Sequence, residues 1–298
     1  MSRIFGGLTA HAVGSLMKEA VRRAIVAIRG ERFSFEAQVK RVLPGGSRDL
    51  VTTADQAAQR VFVKLLRDWF PTYGVVAEEN HLSVPCTEPD HDFWFTVDPL
   101  DGTKAFIRRQ SHGIGTMLAL VCDGDVIAAC VGDVMTQEVY ATRPDSPKVF
   151  RISEFGVAEK LEVDKGRTLR TQWIQLRDPP SQHSPMVDEL AAGPNMLFSQ
   201  YEIVGGSIGI SMARLWKGEV AAEVIRPGWA NPWDLCPVVG ISRKLGFVFV
   251  QLDSARGNFQ TIDPPIARSP VRSERELLVI HHSRVGELEA WLANRPTR

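Results

Sequence analysis

Residues 93–109 read FWFTVDPLDGTKAFIRR, Phe93 to Arg109, and the interpretation of the whole chain turns on them. Phe93, Trp94, Phe95 and Val97 form an aromatic and β-branched run suited to a pleated, half-buried strand. Asp98 ends that run. Pro99 has no backbone N–H and cannot extend a central ladder, and Gly102 tolerates unusual dihedrals just before a helix expected over Lys104 to Arg108. Asp98 and Asp101 therefore stand three positions apart on a turn at a strand's carboxyl end, beside the free N–H groups of a helix start. Such an arrangement suits a hard cation next to an anionic oxygen group.

Two further acidic stretches frame the turn. Upstream, Val75-Val76-Ala77-Glu78-Glu79 reads as a short buried strand running into paired carboxylates. Downstream, Asn231-Pro232-Trp233-Asp234 sets another carboxylate at a helix start, with Trp233 read as a packing residue that fixes it. Taken singly, each acidic pair reads as a solvated loop, and Asp55 alone reads as a helix N-cap. Their conjunction carries the metal-site reading.

Around these motifs the pattern alternates between helix and strand periods. Residues 8–29 carry Val13, Leu16, Met17, Ala20, Val21, Ala24, Ile25 and Ile28 on one helical face; residues 55–69 repeat the pattern until Pro71. Residues 32–48 read as a flap around the loop-like Pro44-Gly45-Gly46-Ser47. Residues 74–152 suggest an extended sheet with helices on one side, including a hairpin at Asp123-Gly124. Beyond it, strands are expected over 173–176, 195–199, 219–225 and 247–252, and helices over 185–192, after Gly205-Gly206-Ser207, over 233–244 and over 285–293. The expected division is an N-terminal region, 1–155, carrying most of the acidic residues, and a C-terminal region, 156–298, carrying Asp234.

The chain has 298 residues, 35 basic against 35 acidic side chains, and four cysteines without Cys-x-x-Cys spacing. Zero formal charge provides no global field for a nucleic-acid polymer or an anionic membrane. The cysteines read as free thiols, no leader or long apolar span is visible, and a cytoplasmic location is expected. His81 and His91 lack ligand spacing and read as solvated loop residues.

Four ordered pieces, Val51-Thr52-Thr53-Ala54-Asp55, Ala77-Glu78-Glu79, Asp98-Pro99-Leu100-Asp101-Gly102-Thr103 and Trp233-Asp234, make the chain resemble the inositol monophosphatase family, with its bisphosphate nucleotidase and histidinol phosphatase relatives. The resemblance implies an α/β fold, specifically a layered α-β-α-β-α sandwich. It implies that Glu78, Asp98 and the Leu100 carbonyl hold one Mg²⁺ and that Asp98, Asp101 and Asp234 hold a second; the family also admits a third ion near Glu78. Asp55 with Thr103 would orient and deprotonate the attacking water, assisted by Glu79. The N–H groups of Gly102 and Thr103 would contact phosphate, Gly206 and Ser207 would make a second helix-terminal contact to substrate, and Glu223 would meet substrate hydroxyls. The implied protein is a lithium-sensitive homodimer hydrolysing a small phosphate ester, similar to inositol monophosphate or adenosine 3′,5′-bisphosphate. A histidinol-phosphate phosphatase is an alternative, favoured by Lys104-Ala105-Phe106-Ile107; a regulatory binding protein that keeps the fold is another. Departures from the family pattern are Ala77 before the glutamates, the lack of an obvious flap lysine, a long spacing from Glu223 to Asp234, and Leu245-Gly246-Phe247 in place of a Gly-Gly pair.

Overall fold

A computed structural model of the protein describes residues 5, 7–42 and 48–295. Helix α1 (Ala10–Gly30) buries Val13, Met17, Ala20, Val21, Ala24, Ile25 and Ile28 along one stripe, and the Thr9 side chain accepts from the Ala12 N–H at its start. Strands β1 (Ala37–Val42) and β2 (Arg48–Thr52) form an antiparallel pair where a flap was expected. The Pro44-Gly45-Gly46-Ser47 loop lies outside the described residues. Helix α2 (Thr53–Trp69) follows, capped by Thr52 and not by Asp55: Asp55 is the third helical residue, and its side chain reaches back to the Thr52 N–H in a capping box.

An eight-stranded sheet comes next. Its members are β3 (Gly74–Ala77), β4 (Leu82–Val84), β5 (Phe93–Asp101), β6 (Gly115–Cys122), β7 (Asp125–Asp133), β8 (Val139–Thr142), β9 (Val149–Ile152) and β10 (Ala158–Lys160), in spatial order β10-β9-β8-β7-β6-β5-β3-β4. Strand β5 does not stop at Asp98. It resumes at Asp101 after a break in its register with β6, then enters the short helix α3 (Thr103–Ile107). The second sheet contains β11 (Trp173–Leu176), β12 (Gln200–Ile203), β13 (Ala222–Ile225), β15 (Phe247–Asp253), β16 (Asn258–Ile262) and β18 (Leu277–His281), ordered β12-β11-β13-β18-β15-β16. Strands β14 (Gly228–Ala230) and β17 (Val271–Ser273) make a separate ribbon. Helices α4 (Pro185–Ala192), α5 (Ile208–Trp216), α6 (Pro232–Lys244) and α7 (Val285–Ala293) complete the chain.

The two core clusters flanking the first sheet explain its layering. Phe93, Phe95, Val97, Leu118 and Leu120 pack toward α1 and α2, whereas Trp94, Met117, Ala119, Val121 and Val131 pack toward α5 and α6. Helices therefore cover both faces of this sheet, not one, and β5 is buried throughout instead of half-buried. Each large side chain so enclosed contributes about 1.5–3 kcal/mol of burial. A third cluster joins the second sheet to α4 and α7 through Ile174, Val224, Val250, Ile280, Leu190, Leu288 and Trp291. The resulting order is helix pair, sheet, helix pair, sheet, helix pair: a layered α-β-α-β-α sandwich. Strand β10 carries the first sheet past residue 155, and α5 and α6 come from the second half of the chain but share a core with the first sheet.

One strand expectation shifts. Residues 195–199 are not a strand: Leu197 and Phe198 are buried in the third cluster, but the ladder with β11 begins at Gln200. His91 is exposed as expected and its Nδ1 lies 2.8 Å from Asp123 Oδ2. All four cysteines are free. Among the described residues no helix is long and apolar enough to cross a membrane.

Candidate metal centre and catalytic pocket

The break in β5 and the first turn of α6 bring the central carboxylates together. One oxygen from each of Asp98, Asp101 and Asp234 lies within 4.8 Å of the others. Each is locked differently. Asp98 Oδ1 accepts from the Leu100 N–H at 3.0 Å, and its carbonyl accepts from Thr116 Oγ1 at 3.1 Å. Asp101 Oδ2 accepts from Ser207 Oγ at 2.5 Å and from the Gly209 N–H at 2.8 Å. Asp234 Oδ2 accepts from Asn231 Nδ2 at 2.9 Å.

Burial raises the pKa of all three, and proximity adds to it. Asp98 is held well above the usual carboxylate range by burial and then by Glu78, Asp101 and Asp234. Asp101 is raised by burial, although Ser207 and Gly209 oppose the shift. Asp234 is pushed up to about 7 by burial, with Asp101 and Glu78 contributing. Three converging carboxylates, those of Asp98 and Asp101 buried and that of Asp234 half-buried, cannot all ionise without a counter-charge. A cation removes the conflict, and an all-oxygen set suits Mg²⁺.

Glu78 stands apart from this close group. Its Oε1 accepts from Lys40 Nζ at 2.8 Å, and the same ammonium donates to Glu79 Oε1 at 2.6 Å. Although burial opposes its charge, Glu78 and Glu79 hold Lys40 protonated above the ordinary lysine range. Strand β1 thus does supply a flap lysine. Glu79 is pushed up to about 7, by burial foremost, and is fixed by Gln59, which exchanges two backbone hydrogen bonds with it at 2.8 and 2.9 Å.

Asp55 is fully enclosed. Its Oδ2 accepts from the Thr52 N–H at 2.7 Å and from Thr52 Oγ1 at 2.5 Å, leaving Oδ1 to accept from Thr103 Oγ1 at 3.2 Å. Thr103 Oγ1 is also 3.1 Å from the Leu100 carbonyl, so its hydroxyl proton has two acceptors on one side. Burial lifts Asp55 to about 6 despite the opposing Thr52 hydrogen bonds.

Three loops meet beside Asp101. A Cβ added to Gly102, whose φ is +91°, would fall 2.3 Å from the Gly113 carbonyl; one added to Gly206, whose φ is +89°, would fall 2.4 Å from the same oxygen. Glycine is required at both. Ser207 donates its N–H to that carbonyl at 2.9 Å, while its Oγ accepts from the Ile210 N–H at 3.0 Å. Ser207 is consequently a cap and an Asp101 anchor, with its donors already engaged. This differs from the substrate contact expected of it. Gly206 and Glu223 line a cleft of about 810 Å³ that also contains Asp101 and Asp234. Glu223 is buried, accepts from Gln175 Nε2 at 2.9 Å and from Ser211 Oγ, and is raised to about 7 mainly by burial.

The sequence profile of the inositol monophosphatase family matches residues 11–284. The chain belongs to that family. Among curated relatives, the Nus factor SuhB of Salmonella typhimurium is 36% identical over 99 residues, which is 33% of this chain and 36% of that protein. The match to the first such relatives thus spans about a third of their length. A solved IMPase/NADP phosphatase complexed with Mg²⁺ and phosphate superposes with a TM-score of 0.70 at 20% identity, covering 95% of each chain. A lithium-soaked inhibitory complex of staphylococcal inositol monophosphatase-1 superposes at 0.72 with 20% identity, covering 96% of this chain and 94% of that one. Within this member of the inositol monophosphatase family, sequence reasoning missed Lys40, Gln59, Asn231 and Arg177. Only Asn231 carried a local signal, as the residue opening the Asp234 helix; the other three reach the site through tertiary packing.

Proposed function

We propose that the protein is a Mg²⁺-dependent phosphomonoesterase acting on a small phosphate ester, similar to inositol monophosphate or adenosine 3′,5′-bisphosphate. The carrying observation is the meeting of Asp98, Asp101 and Asp234 at one point, beside the Asp55–Thr103 pair. Glu78, Asp98, the Leu100 carbonyl, Asp101 and Asp234 would hold two or three magnesium ions. When bound, those ions neutralise phosphate charge and acidify water.

The chain's own groups supply orientation and proton acceptance. Thr103 Oγ1 directs its proton toward Asp55 Oδ1 or the Leu100 carbonyl, so its lone pairs remain to accept a hydrogen bond from a water. Asp55, lifted to about 6, is a stronger base than an ordinary carboxylate and accepts the proton relayed through Thr103. Glu79 lies close enough to Asp55 to raise its own pKa further and assists that acceptance. The N–H groups of Gly102 and Thr103 are assigned to the phosphate oxygens. Buried Glu223 on the cleft wall is assigned to substrate hydroxyls. Lithium inhibition and a cytoplasmic homodimer complete the proposal.

The test is phosphate release, with and without Mg²⁺ and lithium, from inositol phosphates, adenosine bisphosphate, histidinol phosphate and fructose bisphosphate. Mg²⁺-dependent turnover of one ester, suppressed by lithium, is expected. The relative named a Nus factor motivates a second reading, a regulatory binding protein that keeps the fold. Silence across the whole panel would replace the first reading with the second.

A further inference from the structure

The cleft beyond the carboxylates is more cationic than a neutral polyol requires. Leaving aside Asp101 and Asp234, its lining offers Lys104, Arg177, Arg226 and Arg272 against Asp178 and Glu223. Arg226 is bonded to Asp178 at 2.5 Å, and Glu223 is held by Ser211 and Gln175. The charge of Arg226 is thus met by Asp178, and among the basic residues of the lining Arg177 has the most particular placement. Its Nη2 donates to the Gly206 carbonyl at 2.7 Å, fixing the guanidinium against the loop that anchors Asp101. Its Nη1 is cut off from solvent and has no hydrogen-bond partner among the described residues.

An arginine cannot shed its charge to relieve that situation, and an unmade hydrogen bond from a buried charged donor is costly. Asp101 does not satisfy it, because the hydrogen bonds to that carboxylate come from Ser207 and from backbone N–H groups of α5. Arg177 acts on Asp101 and Glu223 only as a nearby charge. Two of its neighbours are thus committed elsewhere, while one arm of a planar fork awaits an acceptor. Planar forks select carboxylate and phosphate oxygens.

We propose that Arg177 is a specificity-determining residue that receives a second anionic group of the substrate, a phosphate or carboxylate distinct from the group cleaved. This rests on the phosphomonoesterase reading and narrows it from any small ester to one bearing two anionic groups. The ribbon of β14 and β17 gives the cleft room for such a ligand. It arises from the long spacing between Glu223 and Asp234, and it adds Trp229 and Arg272, which face each other in register, to the lining.

The decisive comparison uses matched sugar esters that differ only in a second phosphate or a carboxylate at the same carbon. Wild type is expected to favour either doubly anionic ester over the plain monophosphate by about tenfold or more in kcat/KM. Arg177→Gln should reduce that preference about tenfold through KM, with kcat for the doubly anionic esters held within about threefold, and Arg177→Lys should restore part of it. The two anionic arms tell a phosphate-reading subsite from a carboxylate-reading one. Equal losses on all three esters, or no preference in wild type, would overturn the assignment. Calorimetric binding of a bisphosphonate analogue and its monophosphonate counterpart provides a readout without turnover, and thermal melting shows that the variants fold. If wild type cleaves none of the esters yet its bisphosphonate preference depends on Arg177, the esterase reading fails and the anion subsite stands. If that binding preference is absent, the subsite fails whatever the turnover.

Discussion

The acidic centre has two walls that are restrained in different ways. On the α5 side, Asp101 is gripped by the Ser207 hydroxyl and the Gly209 N–H, and the loop carrying them is pressed against Gly113 backbone to backbone. On the β1–β2 side, Gln59 holds the Glu79 backbone, but the carboxylates of Glu78 and Glu79 share a single ammonium, that of Lys40, which is only partly buried. Short neutral donors fixed by a helix start define a position; a shared ion pair defines only a charge balance. The first wall is therefore preorganised, and the second responds to salt, pH and added cations.

The sharpest way to break this contrast is Asp98→Asn, which touches the centre both walls serve. Turnover of the best ester should fall on the order of a thousandfold, about 4 kcal/mol of transition-state stabilisation. The metal-free variant should melt no lower than wild type, because the substitution removes a buried repulsive charge. Near-normal turnover in that variant would defeat the mechanism. Ser207→Ala attacks the rigid wall alone. We expect a loss of about 1–2 kcal/mol in stability from the missing cap, and about 10–100-fold in activity from an unsteadied Asp101. Preserved activity with reduced stability would mean that Asp101 needs no anchor.

Lys40→Ala attacks the electrostatic wall. Removing a competing positive charge should lower the Mg²⁺ concentration for half-maximal activity severalfold, roughly 1 kcal/mol of tighter binding. An increased Mg²⁺ requirement would show that Lys40 shapes the site instead of competing for it.

The smallest effect expected is thermal. Asp55 at about 6 and Glu79, Glu223 and Asp234 at about 7 all have folded-state pKa values above those of an unfolded chain. Between roughly pH 4 and 7 these four carboxyls bind more protons folded than unfolded and outweigh His281, which burial lowers to about 4 and which opposes them, so stability of the metal-free protein declines as pH rises through that window. Lys40 stays protonated in both states there and adds no slope. Mg²⁺ should raise Tm by a few degrees near pH 7.5 and by less near pH 5, as melting curves would record. An equal rise at both values would separate Mg²⁺ binding from these carboxylates.

The same contrast explains what was legible beforehand. Asp98-Pro99-Leu100-Asp101-Gly102-Thr103 was readable because its turn, its carboxylates and its helix start are consecutive, so local chemistry dictates the geometry. Helices α1, α4 and α7 were readable from their apolar spacing and punctuation. Lys40 was not, since only strand pairing and a separation of 38 residues bring it to Glu78. Arg177 follows an ordinary short strand and becomes special only through Gly206. Met196-Leu197-Phe198 looked like a strand because apolarity reports burial; Leu197 and Phe198 are indeed buried, while the neighbouring ladder runs through the half-polar Gln200–Ile203. The reading of helices on one side of the first sheet failed because the second pair, α5 and α6, comes from the far half of the chain, after the first strands of the second sheet.

The contact among Gly102, Gly113 and Gly206 has a practical corollary. Even one added methyl group would act as a wedge, prying apart the loops that bear the Asp101 side of the centre while removing none of its carboxylates. Alanine at Gly206 is thus a means of tuning inter-loop distance, a variable that exchanging acidic side chains cannot reach.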